Sequence, residues 1–253
     1  MQKYGQHFLV NQGIIQQIVD ATSLLRAAQL VEIGPGKGAL TQALLKKGNK
    51  GFTVIEIDPE MAAYLKINLP AEAQIKIICQ NFLEFDLTSL PPVPTQFVSN
   101  LPYIDAAAIL GKVLSWPYFK TAVFMFQKEQ AQKITAQPGD DLYGPLSVLS
   151  QLRARINLLC DVRKGSFNPP PKVDSRVLVF ERMEPPDIPW NKLARLVESA
   201  FLHRRKTLFN SLCLSGYDKE KLVLAWQQLR LTQKIRPEQV APVEYVSLLT
   251  QIN

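Results

Sequence analysis

The most constraining feature of this sequence is a glycine-rich turn between a short apolar run and a helical stretch. Residues 29–33 are mostly apolar, residues 34–38 read Gly-Pro-Gly-Lys-Gly, and residues 39–47 have the spacing of an amphipathic helix. Glycine has no Cβ, so the backbone of such a turn can approach a bound molecule closely. A strand, a glycine-rich turn and a helix in this order predict a ligand-binding unit of a parallel α/β sheet.

Further apolar runs alternate with helical stretches. These runs are rich in β-branched and aromatic residues and lie at 52–58, 75–79, 96–99 and 121–126. Their alternation with helices favours a mostly parallel sheet that is covered on both faces. Two later runs, 153–162 and 177–180, have a proline-rich loop between them and predict an antiparallel hairpin at one edge. The predicted fold class is therefore α/β, a Rossmann-like sheet with an antiparallel edge.

A proline-rich segment predicts a boundary between two domains. Residues 183–189 contain three prolines in seven positions, which is typical of a linker, and helical patterns follow it. We predict a ligand-binding domain at 1–183 and a small helical domain at 190–253. From residue 182 onward eleven Lys or Arg stand against seven Asp or Glu, so +4 of the net +7 falls on 72 residues. This asymmetry favours a second domain that faces a polyanion, with an ordinary solvated basic surface as the alternative.

Cysteine and histidine usage argues against a metal centre or a disulfide framework. Cys79, Cys160 and Cys213 are far apart and lie among apolar residues, so we expect buried, inert thiols. Only two histidines are present. No apolar run reaches the roughly 18 residues of a transmembrane helix, and the N-terminal residues lack the layout of a signal or transit peptide. We therefore expect a cytoplasmic protein with no metal.

An acidic residue at the end of the second apolar run completes the candidate cofactor site. Glu56 follows Gly36 by twenty residues, and an acid at this place can hold both ribose hydroxyls of a nucleoside. We expect Gly34 and Gly36 to line the same site. A glycine-rich turn with such an acid also fits a dinucleotide.

Three details favour a sulfonium cofactor over a dinucleotide. The glycines are spaced Gly-x-Gly-x-Gly, Pro35 removes an amide that could bind a pyrophosphate, and Glu32 suits a nearby cation. The pattern therefore favours S-adenosyl-L-methionine and a methyltransferase, with a dehydrogenase as the alternative.

The fourth apolar run ends in the tetrapeptide Asn100-Leu101-Pro102-Tyr103. The N6 amine of adenine is a poor nucleophile because its lone pair is delocalised into the ring. The Asn100 side-chain oxygen and the Leu101 carbonyl can accept hydrogen bonds from the amine N–H groups and so direct the lone pair. Pro102 keeps the backbone rigid. Tyr103 can stack on the base. This arrangement predicts methylation of adenine N6 by positioning alone, with an ordinary strand-ending turn as the alternative.

With these residues the chain resembles the ribosomal RNA small subunit methyltransferase A family, the ribosomal RNA adenine N6,N6-dimethyltransferases. The similarity covers nearly the whole chain. Its motifs lie at residues 4–9, 31–36, 54–58, 100–103, 127–129, 143–147, 167–175, 201–208 and 210–212.

The resemblance implies a class I methyltransferase fold and a role for each matching residue. His7 and Leu9 would contact the cofactor, Gly34 would lie against its methionine part, and Glu56 would bind its ribose. Asn81 would accept a hydrogen bond from the cofactor's adenine amine.

The resemblance also implies the catalytic residues and the substrate. Asn100, with Leu101, would hold the reacting centre beside the cofactor, and Phe167 would stack on the opposite face of the target base from Tyr103. The substrate would be two adjacent adenosines, each methylated twice, in the hairpin near the 3′ end of 16S ribosomal RNA in the 30S subunit. We expect a monomer.

Two positions depart from the family pattern. His7 stands where the family usually has Asn, and Asn81 stands where it usually has Asp. An amide oxygen is a weaker acceptor than a carboxylate. We therefore expect weaker cofactor binding, not inactivity.

Basic residues near the proline-rich loop and in the second domain are candidates for RNA phosphates. They are Lys172, Arg176 and the cluster Arg204-Arg205-Lys206. Ion pairing within the protein is the alternative. Three other functions stay open: a large-subunit ribosomal RNA adenine methyltransferase, a non-catalytic ribosome-assembly factor, and a DNA adenine methyltransferase.

Overall fold

A computed structural model of the protein describes residues 7–25, 27–184, 188–203 and 205–252. The strands in this part are β1 (Phe8–Leu9), β2 (Gln29–Ile33), β3 (Thr53–Glu56), β4 (Lys76–Cys79), β5 (Thr95–Asn100), β6 (Phe119–Gln127), β7 (Ala154–Val162), β8 (Phe167–Asn168) and β9 (Ser175–Arg182). The helices are α1 (Gln12–Leu24), α2 (Ala39–Lys46), α3 (Pro59–Asn68), α4 (Ala106–Ser115), α5 (Lys128–Thr135), α6 (Pro145–Gln151), α7 (Trp190–Phe201), α8 (Leu208–Leu214), α9 (Lys219–Gln228) and α10 (Pro242–Ile252).

Seven strands form one sheet in the order β4-β3-β2-β5-β6-β9-β7. The pairs among β4, β3, β2, β5 and β6 are parallel, and β9 runs antiparallel to β6. The α/β class, mostly parallel with an antiparallel edge, is confirmed. Strand β6 is buried along nearly its whole length, as expected for a strand covered on both faces.

The order of the strands reverses between β2 and β5. After β2 the chain adds β3 and β4 on one side, then returns to place β5 and β6 on the other. A crevice opens at the carboxyl ends of the strands at such a reversal. Here the glycine-rich turn follows β2 and Asn100 ends β5, and the Ser99 hydroxyl donates to the Ile33 carbonyl to join the two strand ends.

A small second sheet holds the N-terminal segment. Strands β1 and β8 pair antiparallel, with Phe8 opposite Asn168 and Leu9 opposite Phe167. The Val10 amide also donates to the Ser166 carbonyl at 2.9 Å. The proline-rich segment after β7 therefore fixes the course of the first described residues.

The chain divides into two compact units, and the second unit includes a segment that the predicted helical domain at 190–253 does not contain. The first comprises residues 1–131 and 155–182, and the second comprises 132–154 and 183–253. Residues 132–154 lie with the second unit because Tyr143 and Val148 belong to its apolar core. The Tyr143 hydroxyl also donates to the Val240 carbonyl at 2.9 Å.

The expectation that the three cysteines are buried is wrong for Cys79 and holds only in part for the other two. Cys79 is exposed, whereas Cys160 and Cys213 are partly buried, and all three are free thiols. Cys79 is exposed because β4 is an edge strand of the sheet. Within the described ranges no cluster of three or more His, Cys, Asp or Glu could hold a metal ion. None of the helices described here is both long and apolar enough to cross a bilayer.

Candidate active site

The glycine-rich turn adopts a backbone that side chains rarely allow. Gly34, Gly36 and Gly38 have φ angles of 62°, 54° and 79°. A Cβ on Gly36 would lie 3.0 Å from the Phe8 ring, and one on Gly38 would lie 2.7 Å from Leu65 Cδ2. The positive φ angles and the close neighbours of Gly36 and Gly38 therefore both favour glycine at these two residues.

Glu56 joins the end of β3 to this turn. Its carboxylate accepts from the Gly36 amide and from the Asp58 amide, each at 2.9 Å. Burial raises the pKa of Glu56, and the two amides oppose that rise. A carboxylate has about four lone-pair sites, so acceptor capacity remains for a ligand.

Glu32 is the second acid at this edge of the sheet. It is 1% exposed, and it accepts from the Thr41 hydroxyl at 2.8 Å. Burial raises the pKa of Glu32 to about 8, and the charge of Glu56 contributes to the rise. A bound cation would favour the ionised form of both acids, whereas a pyrophosphate would oppose it.

Asn100 has one defined partner. Its Nδ2 donates to the His7 carbonyl at 3.1 Å, which orients the amide. Among the described residues no group donates to its Oδ1. The side-chain oxygen is therefore available as an acceptor at the carboxyl end of β5.

Tyr103 and His7 lie against each other. Their rings stack with centroids 5.9 Å apart and an interplanar angle of 28°. The Tyr103 hydroxyl is 3.1 Å from the Ser175 hydroxyl, and His7 Nδ1 donates to the Pro169 carbonyl at 2.9 Å. The His7 ring thus links residues 100–103 to the proline-rich segment.

One cavity of about 670 Å³ brings together most of the predicted site. This volume lies in the usual range for small-molecule sites, roughly 300–1,000 Å³. Eight of the ten predicted residues line it: His7, Leu9, Gly34, Gly36, Glu56, Asn100, Leu101 and Tyr103. The remaining two, Asn81 and Phe167, do not.

Asn81 lies in the loop after β4. The loop begins beside Glu56, whose carbonyl accepts from the Gln80 amide at 2.9 Å. Asn81 Oδ1 accepts from the Leu83 amide at 2.9 Å, and its Nδ2 donates to Glu84 Oε1 at 3.4 Å. One of the two lone pairs of its amide oxygen is thus engaged within the loop, and the other remains for a ligand.

Phe167 is buried in this structure. It is 3% exposed and packs in the core of the first unit with Leu9 and Val177. To stack on a base, its side chain would have to leave this position. Its assignment to the target base stays a prediction.

The basic residues predicted to contact RNA divide into two groups. Arg176 donates to Asp161 at 2.6 Å, so the ion-pairing alternative holds for it. Arg205 and Lys206 are exposed in the second unit. Arg204 and the motif residues 4–6 lie outside the described part of the chain.

Comparison with known proteins assigns the family. The model of the family described as ribosomal RNA adenine dimethylase matches residues 1–251. The chain belongs to this family. The ribosomal RNA small subunit methyltransferase A of Malacoplasma penetrans is 34% identical over 249 residues, which are 97% of this chain and 89% of the relative.

Two solved structures resemble this dimethylase family member over nearly its whole length. A dimethyladenosine transferase from Plasmodium falciparum has a TM-score of 0.83 and 26% identity, covering 97% of both chains. The 23S rRNA methyltransferase ErmE has a TM-score of 0.74 and 27% identity, covering 97% of this chain and 99% of that one. The class I methyltransferase fold is confirmed.

The structure adds residues that sequence reasoning did not select for this adenine dimethylase. Ile57 lines the cavity directly after Glu56 and is 39% exposed. Its position directly after Glu56, at the carboxyl end of a predicted strand, was the signal that could have found it. Ser175 had no such signal, because it reaches Tyr103 only through the pairing of β9 with β6.

Replacing Glu32 with glutamine is expected to reduce the pH dependence of this dimethylase's stability. The folded state keeps the Glu32 proton up to about pH 8, whereas the unfolded chain loses it near pH 4.5. The unfolded state therefore binds fewer protons in this window, and stability falls as pH rises through it. Glu32→Gln has no proton to lose and can still accept from Thr41.

Denaturant unfolding between about pH 5 and about pH 9 tests this expectation. The variant should match the wild type at the acid end and become progressively more stable than it toward the alkaline end. Glu60→Gln, at an exposed glutamate of α3, is the matched control and should show no such trend. A stability difference that does not change with pH would contradict the assignment.

Proposed function

We propose that this protein transfers methyl groups from S-adenosyl-L-methionine to the N6 amines of two adjacent adenosines. The adenosines are those of the hairpin near the 3′ end of 16S ribosomal RNA in the 30S subunit, and each receives two methyl groups. The observation that carries the proposal is the available Asn100 oxygen in the same cavity as the Glu56-bound glycine turn. Membership of the adenine dimethylase family supports it.

The residues at the cavity fit this cofactor. Gly34 and Gly36 present backbone without a side chain to the cavity, and Glu56 keeps acceptor capacity for ribose hydroxyls. Pro35 offers no amide to a pyrophosphate. When bound, S-adenosyl-L-methionine supplies an electrophilic methyl group on its sulfonium. His7 and Leu9 would close the site from the N-terminal segment.

Asn100 and the Leu101 carbonyl would prepare the nucleophile. Each would accept a hydrogen bond from one N–H of the adenine N6 amine, which favours a pyramidal nitrogen with its lone pair directed at the methyl group. The His7 carbonyl holds Asn100 Nδ2 at 3.1 Å, so the amide oxygen faces the amine without reorganisation. Positioning of the two reactants then carries the reaction.

Aromatic residues would hold the target base outside the RNA helix. Tyr103 offers one ring face, and its hydroxyl is anchored at Ser175. Such a base–aromatic contact is worth roughly 1–3 kcal/mol in single-strand binders. Phe167 would cover the opposite face after leaving its core position.

The second unit would supply contacts to RNA phosphates. Its exposed Arg205 and Lys206 and the excess of Lys and Arg beyond residue 182 support this role. We further propose that the protein works as a monomer in the cytoplasm, where small ribosomal subunits assemble.

The decisive experiment is to incubate the protein with methyl-labelled cofactor and unmethylated small ribosomal subunits and to map the label. We expect four methyl groups on two adjacent adenosines near the 3′ end. Label in large-subunit RNA instead would favour the other ribosomal RNA methyltransferase activity, to which the likeness to ErmE also points. Binding of both partners without transfer would favour a non-catalytic assembly factor.

Replacing Asn81 with aspartate is expected to tighten cofactor binding about fivefold, because a charge-assisted hydrogen bond is worth roughly 1 kcal/mol more than a neutral one. The single oxygen of Asn81 already accepts from the Leu83 amide. A carboxylate would keep that bond and offer a second oxygen to the cofactor's adenine amine. Calorimetric titration measures the change, with Asn68→Asp on α3 as control. Equal affinities of wild type and Asn81→Asp would refute this reading.

A further inference from the structure

Lys112 is an unusual side chain near the candidate site. It lies on α4, the helix that follows the catalytic tetrapeptide, yet its ammonium points to the loop after β4. Its Nζ donates to the carbonyls of Phe82, Leu83 and Phe85 at 2.9, 2.7 and 2.5 Å. All three N–H groups of the ammonium are therefore used on one loop.

The three carbonyls point toward one another and require a donor with several N–H groups between them. Within the loop the Asn81 carbonyl accepts from the Glu84 and Phe85 amides, but the three later carbonyls converge on one point. Their dipoles repel one another unless a donor with several N–H groups lies between them. A tetrahedral ammonium satisfies this geometry, whereas the planar fork of arginine does not.

The loop is held on its other side by the core. Phe82 and Phe85 are 4% and 5% exposed, and Phe82 packs edge-on against Phe97 of β5 at 6.3 Å between centroids. Lys112 Nζ also lies 5.4 Å from the centre of the Phe82 ring. Burial lowers the pKa of Lys112, while Asp86 opposes that change. The loop therefore has two anchors, apolar packing and one ammonium.

The position of the loop connects Lys112 to the cofactor. Cys79 pairs with Glu56 in the sheet, and the Gln80 amide donates to the Glu56 carbonyl, so the loop starts beside the residue that would hold the ribose. Asn81 stands in this loop at the position implied to meet the cofactor's adenine. The Leu83 amide donates to the Asn81 side-chain oxygen and so orients Asn81. The carbonyl of the same residue, Leu83, accepts from Lys112.

We propose that Lys112 is a positioning residue for the cofactor: it holds residues 81–85 in the conformation that presents Asn81 to the nucleobase. This rests on the proposed function, because the nucleobase is that of S-adenosyl-L-methionine. Lys112 acts through the loop and touches neither the methyl group nor the target base. It also joins the helix behind the tetrapeptide to the cofactor loop.

The test removes the ammonium and then restores it. Lys112→Met keeps the length of the side chain but donates no hydrogen bond. Lys112→Cys treated with 2-bromoethylamine regains an ammonium at nearly the original distance, as the thiol proton is replaced and bromide leaves. Wild type treated in parallel controls for alkylation of the exposed Cys79, and Lys66→Met controls for loss of an exposed lysine.

Two measurements decide the proposal. Hydrogen exchange of the amides of residues 83–85, without cofactor, should become faster in Lys112→Met and return toward the wild-type rate after aminoethylation of Lys112→Cys. Calorimetry should show cofactor affinity lowered about tenfold, equivalent to about 1.4 kcal/mol, and restored by the same treatment. At saturating cofactor, kcat and the KM for RNA should stay near their wild-type values.

Unchanged exchange and unchanged affinity in Lys112→Met would overturn the proposal. So would a loss of affinity that aminoethylation leaves in place while the fold is intact by circular dichroism. If wild type itself bound no S-adenosyl-L-methionine, the proposed function would fail. The exchange data would then still report whether Lys112 holds the loop.

Discussion

Replacing Asn100 with alanine is expected to lower kcat for methyl transfer by about 10²–10³-fold, the loss found when one preorganised hydrogen-bonding group is removed from a catalytic site. The Asn100 oxygen is the available acceptor at the end of β5. Without it the N6 lone pair stays in the ring, so the chemical step slows. Cofactor affinity should change far less than kcat, because Glu56 and the glycine turn stay in place.

Single-turnover transfer at saturating cofactor and RNA measures this effect. Asn100→Asp separates the two roles of the side chain, since it keeps an acceptor oxygen but loses the donor to the His7 carbonyl. If the acceptor matters most, Asn100→Asp will retain more activity than Asn100→Ala. Equal losses in the two variants would mean that the contact with His7 is the essential one. Asn68→Ala, at the end of α3, serves as the control for a lost asparagine.

Replacing Glu56 with glutamine is expected to weaken cofactor binding about tenfold to a hundredfold, since each hydrogen bond to a charged group contributes roughly 1.5–3 kcal/mol. The carboxylate holds the Gly36 and Asp58 amides at 2.9 Å and would also bind the ribose hydroxyls. Glutamine has one oxygen, and its NH₂ group faces an amide that also donates. One backbone amide therefore loses its partner, and the glycine turn loses its support from β3.

Calorimetry with S-adenosyl-L-methionine, together with the thermal midpoint, tests the prediction for Glu56. We expect both affinity and Tm to fall in Glu56→Gln, whereas Glu60→Gln should leave both unchanged. A fall in Tm with normal affinity would show that Glu56 only supports the turn. Normal values of both would contradict its place in the cofactor site.

The elements around the cofactor turn were predictable because their causes are local. The apolar runs at 29–33 and 96–99 became β2 and β5, and the glycine-rich segment became a turn with positive φ angles. Strand preference and the freedom of glycine depend on sterics within a few residues. The carboxyl ends of parallel strands share one edge, so Glu56 and Asn100 could be expected to meet there.

Features that depend on distant partners were not predictable in the same way. The pairing of Phe8 with Asn168 joins residues far apart in the chain, and no local sequence pattern predicts it. The assignment of residues 132–154 to the second unit likewise follows from the core in which Tyr143 packs. The exposure of Cys79 follows from the position of β4 at the sheet edge.

The sequence by itself determined the α/β architecture, the glycine turn, the tetrapeptide and the family, because each is set by local sterics or by an ordered series of motifs. Only the tertiary structure decided how hydrogen bonds are shared. It left the oxygen of Asn100 available and placed the Lys112 ammonium against the carbonyls of Phe82, Leu83 and Phe85. Whether a polar group is satisfied or available depends on which groups the fold brings within about 3 Å of it, and those groups come from other elements of the chain.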